Sequence, residues 1–430
     1  MLPPRALGSL TLLALSSCGP CAPAPPEPAD ADSPAPLEAP VPLPTARPWV
    51  FRELRGRPTV AAPLGCAPRA PTMQAEVPST TGFVAEHGSL ATLVVADATA
   101  GGAQLTGVGA MRFDAAGALA EQRPIPWLTP TTAPRLGRAA GGGWIATIAE
   151  QAEAGAWSVE LWRDGAIEPV GEGDHFEAVD LGCAGGRCAL LTPRLGPVAR
   201  PGAEVRIGAA EAPIAGWQRV VIEPAEADSE AYPLAIAGLE GAAAAQGAAG
   251  AATKPGAGPA GSGPLVALVE KGEILFFRVE GAGAQEAGRI AATHGVLDVL
   301  AFPEVTAMVH GTPIDERGCV PPEAGGADAV VRFARTGEAA ELRTPAPPLR
   351  GALRRLARGA LATWIAPLGC GAQRRVVYAV VLDPAGKLAG EVIPVGDAER
   401  YAVASEGDDV DLWLQQAEAV TWVRLRCGGS

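Results

Sequence analysis

Gly359-Ala-Leu-Ala-Thr-Trp-Ile365 is the clearest copy of a pattern that recurs along the chain, a glycine followed by a short run of strand-forming residues. Related stretches begin at Gly88, Gly143, Gly186 and Gly407. Short runs rich in Val, Ile, Thr and Trp and bounded by glycine are typical of β-strands. A long helical bundle is excluded, because 54 glycines and 42 prolines scattered through 430 residues would interrupt helices.

Hairpin signals follow most of these apolar runs. Each is a few strand residues that close on a glycine, which supplies the positive φ that tight turns require. The turn glycines are Gly117, Gly165, Gly281, Gly337 and Gly386. Their separations are 48, 116, 56 and 49 residues, and the longest interval holds one further unit with an irregular turn. A four-stranded unit repeated every 40 to 55 residues or so is typical of a β-propeller.

The sequence therefore predicts an all-β protein, a β-propeller with seven four-stranded blades. Six or eight blades remain open, because the fourth unit is weakly patterned. The units are residues 81–130, 131–173, 174–227, 228–292, 293–346, 347–396 and 397–427. The last unit contains only three strand patterns. We expect residues 49–54 to supply its fourth strand, so that both chain ends meet in one blade and close the ring.

The first residues carry a secretion signal. Arg5 precedes an apolar run from Ala6 to Leu15 that is too short for a permanent membrane span. The run ends in Leu15-Ser-Ser-Cys18, which resembles the lipobox of bacterial lipoproteins. The resemblance implies that residues 1–17 are a signal peptide and that Cys18 is the lipid attachment point in the bacterial cell envelope. In such lipoproteins an Asp after the lipidated Cys indicates retention at the inner membrane. Here Gly19 occupies that position, so the resemblance favours the outer membrane, on its periplasmic side or at the cell surface.

Residues 18–48 are predicted to form a tether. Eleven prolines lie between Pro20 and Pro48, and this density favours an extended, partly polyproline chain. Cys18-Gly-Pro-Cys21 also has the spacing of a redox dithiol, but no strand leads into it and no helix follows. The propeller domain then spans residues 49–430, with insertions at 238–264 and 310–328.

Charge limits the choice of partners. The chain carries 34 Lys and Arg against 47 Asp and Glu, a net charge of −13, and contains no block of basic residues. Nucleic acid requires a concentrated cationic surface, so we expect no nucleic-acid partner. The expected partners are the membrane, through the lipid anchor, and an envelope protein or glycan.

Six cysteines fall in the propeller domain, as expected for an oxidising compartment. The expected disulfides are Cys183–Cys188, Cys66–Cys427 and Cys319–Cys370. The first pair straddles a predicted hairpin turn, the second lies near the two chain ends that the closed ring brings together, and the third follows by elimination. Zinc is the alternative, but the domain has no Cys-x-x-Cys and no histidines at ligand spacing.

Motifs for catalysis or cofactor binding are absent from the sequence. There is no Gly-x-Ser-x-Gly, no His-Glu-x-x-His and no Walker loop. Residues 256–261 match the letters of a dinucleotide fingerprint without its flanking strand and helix, so we expect no cofactor. The candidate calcium ligands are Glu406, Asp408, Asp409 and Asp411. Because they occupy a strand-to-strand turn, a solvated turn is the favoured interpretation.

Tryptophans could stack on sugars, but six of them lie inside predicted strands and are expected in the core. They are Trp144, Trp157, Trp162, Trp364, Trp413 and Trp422. The sequence thus favours a lipid-anchored envelope propeller that acts as a binding or scaffolding module. In general shape it resembles the propeller lipoproteins that help assemble outer-membrane proteins, although their repeated Ala-x-Asp-x-x-Thr-Gly-x-x-x-Trp signature is missing. The alternative is an envelope enzyme, a glycan or peptide hydrolase or lyase, with carboxylates at the propeller axis.

Overall fold

The structure, a computed structural model, divides into two compact units, Met1–Pro42 and Leu43–Ser430. It describes residues 50–54, 61–62, 64–76, 109–114, 116–124, 136–138, 144–151, 157–163, 166–173, 179–184, 186–194, 202–223, 231–237, 263–291, 295–302, 304–310, 329–335, 338–344, 348–368 and 372–427. The predicted signal peptide and tether, Cys319, Cys370 and most of both insertions lie outside these ranges.

The described chain is built of β-strands, with one 3₁₀ turn at Ile214–Gly216. The strands are β1 (Arg52–Glu53), β2 (Cys66–Pro68), β3 (Met73–Glu76), β4 (Gly109–Phe113), β5 (Leu119–Pro124), β6 (Leu136–Arg138), β7 (Trp144–Gln151), β8 (Trp157–Arg163), β9 (Ala166–Gly173), β10 (Asp180–Ala184), β11 (Arg187–Pro193), β12 (Ala203–Ala209), β13 (Gln218–Ile222), β14 (Ala231–Ala237), β15 (Leu265–Glu270), β16 (Glu273–Glu280), β17 (Gly283–Ala291), β18 (Gly295–Phe302), β19 (Glu304–His310), β20 (Ala329–Arg335), β21 (Glu338–Thr344), β22 (Arg350–Leu356), β23 (Gly359–Pro367), β24 (Arg375–Leu382), β25 (Ile393–Asp397), β26 (Arg400–Glu406), β27 (Asp409–Gln416) and β28 (Ala419–Cys427). Within these residues no helix has the length and apolar character of a membrane span.

These strands form seven sheets. Five are antiparallel meanders of four consecutive strands: β6–β9, β10–β13, β14–β17, β18–β21 and β22–β25. β4 pairs with β5, and β26–β28 form the last sheet together with β1, β2 and β3. The first strands of successive sheets, from β6 and β10 through β14, β18 and β22 to β26, contact one another in order. Four-stranded meanders that meet through their first strands form a β-propeller, so the predicted all-β propeller fold is confirmed.

The run that begins at Gly359 shows why these strands are apolar on both faces. β23 is buried along its whole length. Leu361 and Ile365 pack toward the last sheet, whereas Trp364 packs toward the sheet before it. Gly359 has φ of 106°, and a Cβ atom there would lie 2.0 Å from the carbonyl oxygen of Leu382. The glycine is therefore required by a close backbone approach, and the apolar run by burial between two neighbouring sheets.

Apolar clusters fill the spaces between adjacent sheets. One lies between β6–β9 and β10–β13, and a second between β10–β13 and β14–β17. Two more lie on either side of β22–β25, against β18–β21 and against the last sheet. Sheets β10–β13 and β22–β25 thus each contribute their two faces to two different clusters, so the described core lies between neighbouring blades.

The first and last sheets of the domain are also neighbours. Met111 and Phe113 of β4 pack with Trp413, Trp422 and Phe51 of the last sheet. The Trp413 and Trp422 rings stack with centroids 4.4 Å apart, and the Phe51 and Phe113 rings meet edge to face at 5.0 Å. Aromatic packing therefore joins the beginning of the blade series to its end.

The strand that completes the last sheet differs from the sequence prediction. β3 and β2, and not residues 49–54, pair directly with β28, while β1 pairs with the outer side of β3. Met73 and Ala75 are buried beside the tryptophans, and Cys66 lies opposite Cys427 in register. In β3 the buried Met73 and Ala75 alternate with polar residues, which favours pairing beside β28. In β2 the disulfide of Cys66 holds the strand against β28. The two chain ends nevertheless meet in one sheet, as predicted.

Candidate functional site

The acidic turn that the sequence singled out lies between β26 and β27. Glu406 and Asp409 are opposite each other in register, and Gly407 supplies a φ of 59° between them. The Asp408 carboxylate accepts a hydrogen bond of 3.0 Å from the backbone N–H of Ala357, in the neighbouring sheet. Asp409 and Asp411, two residues apart on β27, project to the same face of the sheet.

Arg69, in the segment between β2 and β3, bridges both of these aspartates. Its Nη1 donates to Asp409 Oδ2 at 3.2 Å, and its Nη2 donates to Asp411 Oδ1 at 2.6 Å. The same Asp411 oxygen accepts a hydrogen bond from the Trp422 indole N–H at 2.9 Å. Asp411 is only 5% exposed, so this charge-assisted bonding takes place largely away from water.

Two arginines of β28 extend the group. Arg426 donates to Asp409 from Nε at 2.6 Å and from Nη2 at 3.1 Å. This hydrogen bonding, together with the charge of Arg69, lowers the pKa of the Asp409 carboxyl against the opposing effect of burial. Arg424 lies over the Trp422 ring at 4.3 Å from its centroid. Burial lowers the pKa of Arg424, and the Asp411 charge counteracts that shift.

The Arg69 cluster (Arg69, Asp409, Asp411, Trp422, Arg424 and Arg426) corrects the solvated-turn interpretation for one of the four acidic residues. Asp409 and Asp411, two of the candidate calcium ligands, face guanidinium groups, and the search of the described residues found no group of three or more His, Cys, Asp or Glu placed to hold a metal ion. A solvated turn is wrong for Asp411, which is buried in an ion pair. The cluster ties the beginning of the domain to its last two strands.

Two carboxylates on the first strands of sheets also join separate parts of the domain. Asp180 on β10 accepts a hydrogen bond of 2.9 Å from the backbone N–H of Ile236, on the first strand of the next sheet. Asp298 on β18 accepts one of 2.7 Å from the backbone N–H of Leu353 on β22 and another of 3.1 Å from Arg354 Nη1. In both cases the carboxylate joins the first strand of one sheet to the first strand of the following sheet.

The most deeply buried carboxylate among the described residues is also held by arginines. Glu204 on β12 has no exposed surface; it accepts from Arg206 Nε at 2.7 Å and lies 2.6 Å from Arg219 Nη2. A general base needs an ionisable group that can reach a substrate proton. These described carboxylates are engaged in bonds between strands and sheets, so their arrangement can fix the propeller but offers no acid–base pair.

The structure confirms two of the expected disulfides. Cys66–Cys427 and Cys183–Cys188 are both formed, each between residues that lie opposite each other in antiparallel strands. The third expected pair lies outside the described residues.

The expected core role is confirmed for Trp162, Trp364, Trp413 and Trp422, which are at most 4% exposed. Trp144 and Trp157 lie in β7 and β8, but their side chains are outside the described part of the chain. A second acidic group in the sequence consists of Asp174, Glu177 and Asp180, and of these Asp180 is the member that the structure describes.

Sequence reasoning missed Arg69. Arg69 is 342 residues from Asp411, so no local spacing could have indicated their contact.

These features define a β-propeller domain whose chain ends are joined by a strand, a disulfide and an ion-pair cluster. No protein-family model and no curated protein matches the chain. Among solved structures it is similar to the β-propeller domain of the Trilobed protease from Pyrococcus furiosus, with 9% identity, a TM-score of 0.38, and coverage of 82% of this chain and 96% of that one.

It is also similar to a functionally unknown protein from Desulfotomaculum acetoxidans, with 9% identity, a TM-score of 0.36, and coverage of 75% of this chain and 96% of that one. For the Pyrococcus horikoshii acylaminoacyl peptidase the identity is 15%, the TM-score 0.31, and the coverage 69% of this chain and 42% of that one. The chain thus spans less than half the length of that peptidase.

Proposed function

We propose that this protein is a lipid-anchored, seven-bladed propeller of the bacterial envelope that binds or scaffolds an envelope partner. The seven sheets support the blade number. β4 and β5 correspond to the last two strands of the first predicted unit, the five complete meanders correspond to the next five, and β26–β28 correspond to the seventh. The contact between the first and last sheets is the one that a closed ring requires, whatever its blade number.

The described carboxylates on the first strands are already engaged in hydrogen bonds, and this favours binding over catalysis. A propeller hydrolase or lyase would need carboxylates that remain available to a substrate at the axis. Asp180 and Asp298 instead accept backbone N–H groups of the following sheet. The single observation that carries the proposal is therefore the use of these two aspartates as bonds between blades, and the enzyme alternative is not favoured.

The cellular location of the protein is inferred from the signal sequence and the cysteines. The lipobox at Cys18 supports lipid anchoring, and residues 18–48 would hold the propeller away from the membrane surface. The two disulfides fit an oxidising compartment outside the cytoplasm. Metabolic labelling with a palmitate analogue tests the anchor directly, because labelling should disappear in Cys18→Ala.

Site-specific crosslinking in living cells tests the binding role. A photocrosslinking residue placed at Leu368, between β23 and β24, or at Leu388, between β24 and β25, samples opposite ends of the same sheet. Both side chains are exposed, at 50% and 38% respectively, so replacement should not disturb the core. A binding module should give a discrete crosslinked partner from one end and not from the other.

Two outcomes would contradict the proposal. One is the absence of a discrete crosslinked product from either end, and the other is the same product from both ends with no dependence on Cys18. Turnover of a glycan or peptide that is lost in Asp298→Asn, while that variant keeps its fold, would favour the enzyme alternative.

A further inference from the structure

The disulfide that joins the two chain ends connects the first and the last cysteine of the propeller domain. Cys66 and Cys427 are 361 residues apart in the chain and lie opposite each other between β2 and β28. Four further cysteines lie between them in the sequence, at positions 183, 188, 319 and 370. By contrast, Cys183 and Cys188 are consecutive cysteines, only 5 residues apart. The long bond therefore has to form in competition with several shorter ones.

Chain statistics disfavour the long bond before the protein folds. The probability that two residues of a flexible chain meet falls with about the three-halves power of their separation. Cys370 is 57 residues from Cys427, so Cys427 should meet Cys370 about 16 times as often as it meets Cys66. Cys183 is 117 residues from Cys66, and Cys66 should meet it about five times as often as it meets Cys427. An unfolded chain therefore forms non-native pairs first.

Burial prevents the long bond from being made after the last sheet is complete. Cys427 has no exposed surface and Cys66 is 8% exposed. Both belong to an apolar cluster with Leu64 and Leu425, which are each 2% exposed. Oxidation requires a thiolate to reach the disulfide of an oxidant, and this position shields both cysteines from one. The bond has to form while this end of the domain is still open, when the chain statistics apply.

Non-native pairs block completion of the sheets. The two Cα atoms of a disulfide lie within about 7 Å of each other. Cys66 belongs to the last sheet and Cys183 to sheet β10–β13, and these sheets are not neighbours in the order of the blades. A Cys66–Cys183 bond therefore keeps at least one of these cysteines out of its native sheet. If Cys66 is displaced, β2 cannot pair with β28, and the edge of β28 stays uncovered.

We propose that maturation of this protein requires a dithiol isomerase, a partner whose reduced cysteine pair exchanges non-native disulfides for native ones. The first bonds come from an oxidase that carries a disulfide and accepts two electrons and two protons from each cysteine pair. The isomerase then acts on the pairs that formed in the wrong combination. The inference goes beyond the proposed binding role and shares with it only the oxidising compartment outside the cytoplasm.

The exchange is balanced without a further oxidant. The isomerase thiolate attacks the Cys427 sulfur of a Cys370–Cys427 bond, Cys370 leaves as a thiolate, and a mixed disulfide joins the isomerase to Cys427. The thiolate of Cys66, freed from its own non-native partner in the same way, then attacks the Cys427 sulfur. This forms the native bond and releases the isomerase thiolate. One disulfide is broken for each one formed, so the isomerase leaves in its reduced form.

Oxidative refolding of the mature chain in detergent tests the proposal. The reduced protein is unfolded in urea, diluted into oxidised glutathione until its thiols are consumed, freed of glutathione, and then divided. One half receives reduced protein disulfide isomerase as the probe. Trypsin separates three of the cysteines into the peptides Gly56–Arg69, Gly359–Arg374 and Cys427–Ser430, so mapping without reductant identifies the pairs. We expect the fraction of chains with the Cys66–Cys427 bond to rise at least about threefold with the isomerase.

The matched control is a variant in which Cys66 and Cys427 are the only remaining thiols. It carries the substitutions Cys21→Ser, Cys183→Ser, Cys188→Ser, Cys319→Ser and Cys370→Ser. Because no competing partner remains, it should form the Cys66–Cys427 bond to the same extent with and without the isomerase. Wild-type samples quenched with iodoacetamide at intervals give a second readout that is independent of any substitution. In these samples non-native pairs should precede the Cys66–Cys427 bond.

Three results would overturn the proposal. The first is the same yield of the Cys66–Cys427 bond in the wild type with and without the isomerase, and the second is its appearance before any non-native pair, because the fold would then select it unaided. The third is a control variant that depends on the isomerase as strongly as the wild type does. The assay contains no envelope partner, so its failure leaves the proposed binding role intact, whereas failure of the crosslinking experiment leaves this inference intact.

Discussion

Removal of the Cys66–Cys427 disulfide should destabilise the propeller far more than removal of Cys183–Cys188. The first bond closes a loop of 361 residues and the second a loop of 5 residues. The chain-entropy relation gives about 6 kcal/mol at 25 °C for the long loop and about 2 kcal/mol for the short one. Both bonds join facing residues of antiparallel strands, so the shorter one is a matched control.

Urea unfolding followed by tryptophan fluorescence measures this difference. The variants are Cys66→Ser/Cys427→Ser and Cys183→Ser/Cys188→Ser, each compared with the oxidised wild type. We expect the free energy of unfolding to fall by about 4 kcal/mol more in the first variant than in the second. Equal losses, or a larger loss in the second variant, would refute the view that this disulfide holds together two distant ends of the chain.

Three further predictions concern the same closing sheet and the bonds between blades. Arg69→Met should lower the free energy of unfolding in urea by about 2 to 3 kcal/mol, because it leaves the nearly buried Asp411 carboxylate without its main cation. The control is Arg194→Gln, which removes an ion pair to the exposed Glu223 and should change the free energy of unfolding by less than about 0.5 kcal/mol. Equal effects of the two substitutions would contradict this explanation. Trp413→Ala should cost about 3 to 5 kcal/mol by the same assay, since its ring is fully buried, and a cost below about 1 kcal/mol would contradict its packing role. The pKa of Asp409 in the folded protein lies below its ordinary value, so its contribution to stability is present above the unfolded pKa of about 4 and is lost as the pH falls through the folded pKa. The melting temperature should therefore fall less steeply with acid in Asp409→Asn than in the wild type. The same profile of melting temperature against pH in both proteins would contradict this prediction.

The sequence predicted the features that depend on local pattern. The run after Gly359 indicated a buried strand, because burial between two sheets imposes an apolar residue at every position. The glycine marks the start of the strand in the sequence because the backbone of Leu382 leaves no room for a side chain at position 359. The closing disulfide could also be predicted, since a ring brings the two chain ends together.

Two other features that depend on distant pairing, the inner strand of the last sheet and the cation at the acidic turn, could not be predicted. β3 is four residues long, and Met-Gln-Ala-Glu has too short an alternation to stand out from a loop. The acidic turn looked like a metal or solvent site because its cation, Arg69, arrives from the other end of the chain. The composition of a turn shows its charge, but not which counter-charge the fold will bring to it.

The central claim, that the first strands of the domain complete its last sheet, is tested most directly by non-reducing peptide mapping of the native protein. Trypsin releases Cys66 in the peptide Gly56–Arg69 and Cys427 in the peptide Cys427–Ser430. We expect mass spectrometry to find these two peptides joined by a disulfide, because the two cysteines face each other between β2 and β28. Recovery of Cys66 and Cys427 as free thiols, or of either one joined to a different cysteine, would contradict the closure.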